Sequence, residues 1–169
     1  MAGGGDYGMM VYVSGALKGS RDSARARALS ERAARVVAAA GHQAYLPHQH
    51  TDPIHAAAIS PAQVFRRDLA ALRAASGVVA FVGEPSLGVG AELALCAEAG
   101  TPLLGLHTPV EDVSRFAVGL LEAAGARLVC YADAGELEAA IRSFVEDLSA
   151  ERVTRDSARS EPAAQSRPL

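Results

Sequence analysis

The chain has 169 residues, half of them hydrophobic and 21% charged, with 16 basic against 19 acidic side chains and a net charge of −3. A chain of that length folds as one domain around a sizeable core, and its composition excludes a disordered protein and a collagen or coiled-coil rod. The slight acidity argues against a general binder of nucleic acid or of anionic membranes. No apolar stretch nears the ~18–20 residues that cross a bilayer, and residues 1–8 form a flexible lead without the charged and apolar segments of a secretory leader. A soluble cytoplasmic protein is expected. Lys18 is the only lysine in a chain rich in arginine and alanine. The arginine excess reads as the imprint of a GC-rich genome, which leaves Lys18 as the basic residue of interest.

Met9 to Val13 is an apolar run too short for a helix, and it reads as a buried strand ending at Ser14-Gly15. Ser20 to Ala40 repeats apolar residues at helical spacing, with Ser20 or Asp22 to cap its start and Gly41 its end. Gln43 to Leu46 is a second strand, followed by a polar loop holding Pro47 and Pro53. Ser60-Pro61 opens a helix to about Ala75. Gly77 to Val82 is apolar throughout, as in a strand buried on both faces. A glycine-rich turn leads to a helix from about Val89 to Ala99, then a strand from Pro102 to Leu106 and a helix from Val110 to Ala124. Arg127 to Tyr131 is the fifth strand, and Gly135 to about Ala150 the closing helix. From Glu151 the composition turns polar, so residues 151–169 are expected to form a disordered tail. Cys96 and Cys130 sit in apolar runs and read as buried free thiols of a reducing compartment. Alternating strands and helices predict an α/β fold for residues 9–150. The expected form is a single Rossmann-like or flavodoxin-like domain, with a five-stranded parallel sheet flanked by helices.

Ligands of such sheets bind beyond the carboxyl ends of the strands, which directs attention to three loops. The first runs through Ser14, Gly15, Ala16, Leu17, Lys18, Gly19, Ser20 and Arg21 into a helix start. Its backbone N–H groups, the helix dipole and Lys18 together suit an anion, although neither a Walker A nor a GxGxxG spacing is present. The third loop places Ser86, Gly88, Gly90 and Glu92 around one helix start. Ser86 can cap that helix or bind a phosphate, and the glycines admit a ligand to the backbone. Glu92 has no capping partner three residues before it, since Val89 stands there, so a working carboxylate is the better reading. The second loop carries His48, His50, Asp52 and His55 without a recognised zinc spacing. We therefore expect no metal, and take His48, nearest the strand end, as a substrate contact. Asp68 on its helix and Tyr12 in mid-strand carry no signal by themselves.

Val11 to Gly19, Arg67-Asp68-Leu69 and Pro85-Ser86-Leu87-Gly88-Val89-Gly90-Ala91-Glu92-Leu93 together resemble the 2'-deoxynucleoside 5'-monophosphate N-hydrolases of the nucleoside 2-deoxyribosyltransferase superfamily. The likeness spans roughly Met9 to Ile141, and the stretch Ser86 to Glu92 is its most specific part. It implies an N-glycosidase with Glu92 as nucleophile, Asp68 as the acid that assists the departing base, and Tyr12 as the hydroxyl that orients Glu92. It further implies that Ser86 and the Gly15 to Arg21 loop hold the 5'-phosphate, that His48 lines the sugar or base side, and that no cofactor takes part. The resemblance implies a homodimer whose partner adds a serine to the phosphate site. Here the matching stretch is Gly125-Ala126-Arg127, without that hydroxyl, and Lys18 replaces a familiar arginine. The sister activity, transfer of deoxyribose to a second base, is a competing expectation, as is a ribonucleotide substrate such as CMP. A non-catalytic nucleotide sensor on the same sheet would keep the glycines but would not need Tyr12, Asp68 and Glu92 together.

Overall fold

The computed structural model describes residues 8–16, 20–51 and 58–160. Its centre is a sheet of five parallel strands in the order β2-β1-β3-β4-β5. The strands are β1 (Met10–Ser14), β2 (Gln43–Tyr45), β3 (Gly77–Phe81), β4 (Leu103–His107) and β5 (Arg127–Cys130). The helices are α1 (Ser23–Ala39), α2 (Pro47–Thr51), α3 (Pro61–Ala74), α4 (Leu87–Ala99), α5 (Arg115–Ala123) and α6 (Ala134–Ser160). This is the expected doubly wound fold, with strand order reversing between β1 and β3.

Strand alternation divides the core into two layers. Val11, Val13, Val79, Leu104 and Leu106 pack with α1 and α6 on one face. Tyr12, Val78, Ala80 and Leu103 pack with Leu72 of α3, Val89, Leu93 and Cys96 of α4, and Leu121 of α5 on the other. Side chains two apart on a strand share a face, so a polar residue in phase with Tyr12 must face α3 and α4.

Local chemistry accounts for the helix ends. Asp22 caps α1 by accepting from the Arg25 N–H at 2.9 Å. Ser60 and Gln63 form a reciprocal capping box before Pro61. Gly100 ends α4 at a φ of 66°, a conformation glycine adopts without penalty.

Several boundaries differ from expectation. Helix α4 starts at Leu87 rather than Val89, because Ser86 caps it. Helix α5 starts at Arg115 rather than Val110, because residues 110–114 are spent on a turn before the Ser114 cap position. The polar loop after β2 begins with α2, for which Pro47 supplies a first residue with preset φ. Residues 151–160, expected in a disordered tail, continue α6 instead. No proline or glycine interrupts the sequence there, and Arg155–Glu151 at 3.4 Å and Arg152–Asp156 at 3.8 Å add pairs at helical spacing. Residues 1–7 and 161–169 of the two expected flexible ends lie outside the described residues. Cys96 is buried as expected, but Cys130 is exposed. It closes β5, an edge strand of the sheet, where burial on both faces does not reach. Among the described residues no helix is long and apolar enough to cross a membrane.

Candidate active site

Two carboxylates are held by hydroxyls at the carboxyl ends of the first strands, on the α3 and α4 side. The first is Glu92. Helix α4 turns Val89, Leu93 and Cys96 onto the sheet, and Glu92 lies on that same inward stripe at helical spacing. Opposite it, Tyr12 and Ser14 project from the same face of β1, both fully enclosed. The Tyr12 hydroxyl donates to Glu92 Oε1 at 2.7 Å and the Ser14 hydroxyl to Oε2 at 2.5 Å.

Burial pushes the Glu92 carboxyl above its usual range, while the Ser14 and Tyr12 hydrogen bonds pull it back and the charge of Asp68 adds to the rise. The Tyr12 phenol is driven far upward by its own burial and by Glu92, so it remains a donor at any working pH. Cys96, further along α4, is pushed up to about 11 by burial and by Glu92, and is a neutral thiol in this setting.

The second carboxylate is Asp68 of α3. The Tyr45 hydroxyl donates to its Oδ1 at 2.9 Å. The Thr51 hydroxyl lies 3.1 Å from Oδ2 and 2.9 Å from the Pro47 carbonyl, and divides one proton between them. The β1–β2 register sets Tyr12 beside Tyr45, and the two rings stack at 5.3 Å between centroids. His50 extends the column, stacking on Tyr45 at 4.7 Å. Its backbone carbonyl accepts from Arg67 of α3 at 3.2 Å, which ties α2 to α3. Each stacked tyrosine thus serves one carboxylate.

Of the residues singled out in the sequence, Tyr12, Asp68 and Glu92 come together at this place. Ser14 joins them, with its hydroxyl on Glu92. Ser86 caps α4, accepting from the Val89 N–H at 3.4 Å, with Gly88 and Gly90 exposed in the same first turns. Gly15 and Ala16 leave β1 and Ser20 and Arg21 precede α1, while Leu17, Lys18 and Gly19 lie outside the described residues. His48 is buried in α2. Asp52 and His55 fall outside the described residues, and among those described no three His, Cys, Asp or Glu side chains converge as metal ligands.

A cavity of about 680 Å³ opens on the α1 side of the Gly15 turn, lined by Arg21, Arg25, Glu84, Glu111 and Tyr131 among others. Neither Glu92, Asp68 nor Tyr12 borders it. The upward-shifted Tyr12 and Glu92 lie instead at the hydroxyl-held carboxylates.

Tyr45 and Thr51 escaped the sequence reading. Both sit in elements of five residues or fewer, and only the strand register reveals what Tyr45 faces. The aromatic at the end of β2 was the one available signal.

The chain is 32% identical over 136 residues to a protein of Thermofilum pendens named "Putative 2'-deoxynucleoside 5'-phosphate N-hydrolase 1", covering 76% of this chain and 89% of that one. The chain belongs to the 2'-deoxynucleoside 5'-phosphate N-hydrolase family. It is an N-glycosidase. A protein of the same name from Methanococcoides burtonii is 26% identical over 113 residues, covering 66% of this chain and 90% of its own. No family model matches the chain. Among solved structures, BlsM has the same fold at a TM-score of 0.68 and 20% identity, over 93% of this chain and 97% of its own. The CMP N-glycosidase BcmB of Clostridium botulinum shares it at 0.56 and 18%, over 84% and 98%.

Proposed function

We propose that this N-hydrolase cleaves 2'-deoxynucleoside 5'-monophosphates to free base and 2-deoxyribose 5-phosphate, with Glu92 as nucleophile. The observation that carries the reading is a buried carboxylate, gripped by two hydroxyls at the strand ends, with a second carboxylate beside it. One carboxylate to capture the sugar and one to move the proton is the minimum that glycosyl hydrolysis through a covalent intermediate requires.

In the first step the C1'–N bond breaks and its electron pair leaves with the base, which takes a proton from Asp68. A Glu92 oxygen closes onto C1' as positive charge develops there, forming a glycosyl ester. In the second step water attacks C1' and gives one proton to Asp68, and Glu92 leaves as carboxylate. Both groups return to their starting states. A 2'-deoxy sugar suits this route, because no 2'-hydroxyl withdraws electrons from the developing cation.

Tyr12 orients Glu92. The 5'-phosphate is assigned to the start of α4, where Ser86 retains its own proton to donate beside Gly88 and Gly90, and to the loop from Gly15 through Lys18 to Arg21. His48 is assigned to the sugar and base side. The steps as written need neither a metal nor a redox group.

A homodimer belongs to the same proposal. Large apolar side chains are exposed on α4 and on the two helices beside it: Leu87 at 97% and Leu95 of α4, Phe65 of α3 and Phe116 of α5. Such side chains call for cover, and a second copy of this chain would supply it. Light scattering at micromolar concentration is expected to give twice the chain mass; the single mass overturns the dimer.

The activity is tested by incubating the protein with each deoxynucleoside monophosphate, with and without a second base, and separating the products. Free base with 2-deoxyribose 5-phosphate is expected in both mixtures. A new nucleotide in the second mixture would make it a transferase, and unchanged substrate in all would overturn the reading.

A further inference from the structure

The sequence places Ser14 at the mouth of a phosphate loop, and in the fold its side chain is buried. It is fully enclosed, at the end of a strand whose other buried residues are Val11, Tyr12 and Val13. A buried hydroxyl in an apolar strand is costly unless it finds a partner. Strand alternation settles which partner is available: Ser14 is in phase with Tyr12, so both face α4. Each meets a different oxygen of Glu92, Tyr12 at Oε1 and Ser14 at Oε2.

We infer that Ser14 is a positioning residue for Glu92, whose carboxylate plane its hydroxyl and that of Tyr12 fix between them. This rests on the role proposed for Glu92. One donor alone leaves a carboxylate free to rotate about its last bond; donors on both oxygens remove that freedom. The oxygens keep further lone pairs, so the grip does not block attack on C1'. Ser14 has a single proton and gives it to Glu92, so it does not donate to a phosphate at the same time.

The grip also opposes burial. Around Glu92 stand Tyr12 and Ser14 from β1, Asp68 from α3 with Tyr45 of β2 behind it, and Cys96 on α4 itself. Helix α5, packed along α4, carries Arg115 and Glu122, both exposed. Burial and Asp68 disfavour the ionised form, and Ser14 is the stronger of the two hydroxyls favouring it. Removing a donor to the ionised form raises the carboxyl pKa. The Ser14→Ala variant should therefore stay anionic over a narrower range, losing its charge at a higher pH than the wild type.

The experiment compares wild type, Ser14→Ala and Ser14→Thr. The acid limb of kcat/KM against pH, measured with a deoxynucleoside monophosphate, is expected to move up by about one unit in Ser14→Ala, the scale of one lost hydrogen bond to a charged group. KM should barely change, and the rate deficit should shrink as pH rises above the limb. Ser14→Thr, which keeps the hydroxyl, should restore the limb. A residue that merely filled space would lower the rate equally at all pH and leave the limb in place, and that result overturns the inference.

A second readout does not depend on turnover. With ¹³C-labelled glutamate, the Glu92 carboxyl signal, assigned by its loss in Glu92→Gln, should titrate at higher pH in Ser14→Ala than in wild type. If that shift occurs while wild type releases no base from any nucleotide, the proposed reaction fails and the grip stands. Superimposed titrations with active wild type remove the grip and leave the reaction.

Discussion

The two carboxylates of the site are held by similar chemistry but by different parts of the fold. Glu92 is gripped from β1, an interior strand of five residues paired on both sides, and is carried by a helix of thirteen residues. Asp68 is gripped from β2, an edge strand of three residues, and from α2, a helix of five. Both carboxylates are half-buried; the donors to Glu92 are wholly enclosed, while of the donors to Asp68 Thr51 is buried and Tyr45 only half-buried. The contrast suits the proposed roles. A nucleophile must meet C1' at one angle, which rigid strands provide. A proton carrier must serve bases of several shapes and then a water molecule, and the edge of the sheet leaves it more room.

The largest effect should follow from Glu92→Gln. The amide keeps the shape but loses the charge that meets the developing cation. Each tenfold loss of rate corresponds to ~1.4 kcal/mol, and losing the covalent route should cost several such factors in kcat. Nucleotide affinity, measured by calorimetry, should change little, since Ser86 and the first loop are untouched. A kcat within about threefold of wild type, the range of ordinary surface substitutions, would reduce Glu92 to a packed helix residue and end the comparison.

Asp68→Asn comes next. It should lose on the order of 10²-fold in rate, the ordinary worth of a positioned acid or base. The loss should be smallest for substrates whose base departs readily without a proton. An equal loss across all leaving groups would show that Asp68 does not protonate the base.

Tyr45→Phe keeps the ring stacked on Tyr12 and removes only the hydroxyl on Asp68. One hydrogen bond to a charged group is worth about 1.5–3 kcal/mol, so a decrease of roughly tenfold or somewhat more in kcat/KM is expected. Tyr12→Phe measured beside it sharpens the contrast. The interior position should suffer more, because the fully enclosed Tyr12 hydroxyl holds the proposed nucleophile itself. If Tyr45→Phe proves the more damaging, the rigid and adaptable sites have been assigned the wrong way round.

Thr51→Ala should be the mildest. Its hydroxyl is divided between Asp68 and the Pro47 carbonyl, so its share at Asp68 is below that of an undivided bond. A loss of no more than about threefold, under ~1 kcal/mol, is expected in kcat/KM. A larger loss would mean that α2 as a whole, rather than one proton, holds Asp68 in place.

What the sequence determined by itself was local. Apolar runs and helical spacing marked five strands and every helix but α2, and Ser60-Pro61 marked the start of α3. The stretch Ser86 to Glu92 carried the family likeness, and with it the roles proposed for Glu92, Asp68 and Tyr12. Even local signals had limits: α6 outran its apolar face because polar residues of good helix propensity continue a helix once it is nucleated. Tertiary structure decided the rest. The partner of Ser14 depends on α4 lying across β1, and that of Tyr45 on a strand register between residues 33 positions apart. Cys130 is exposed because β5 ends the sheet, although its apolar neighbours match those of an interior strand. Periodicity is written in neighbouring residues, and so it can be read from the chain. Which hydroxyl meets which carboxylate is set by how distant elements stack, and only the folded sheet brings those groups within reach of one another.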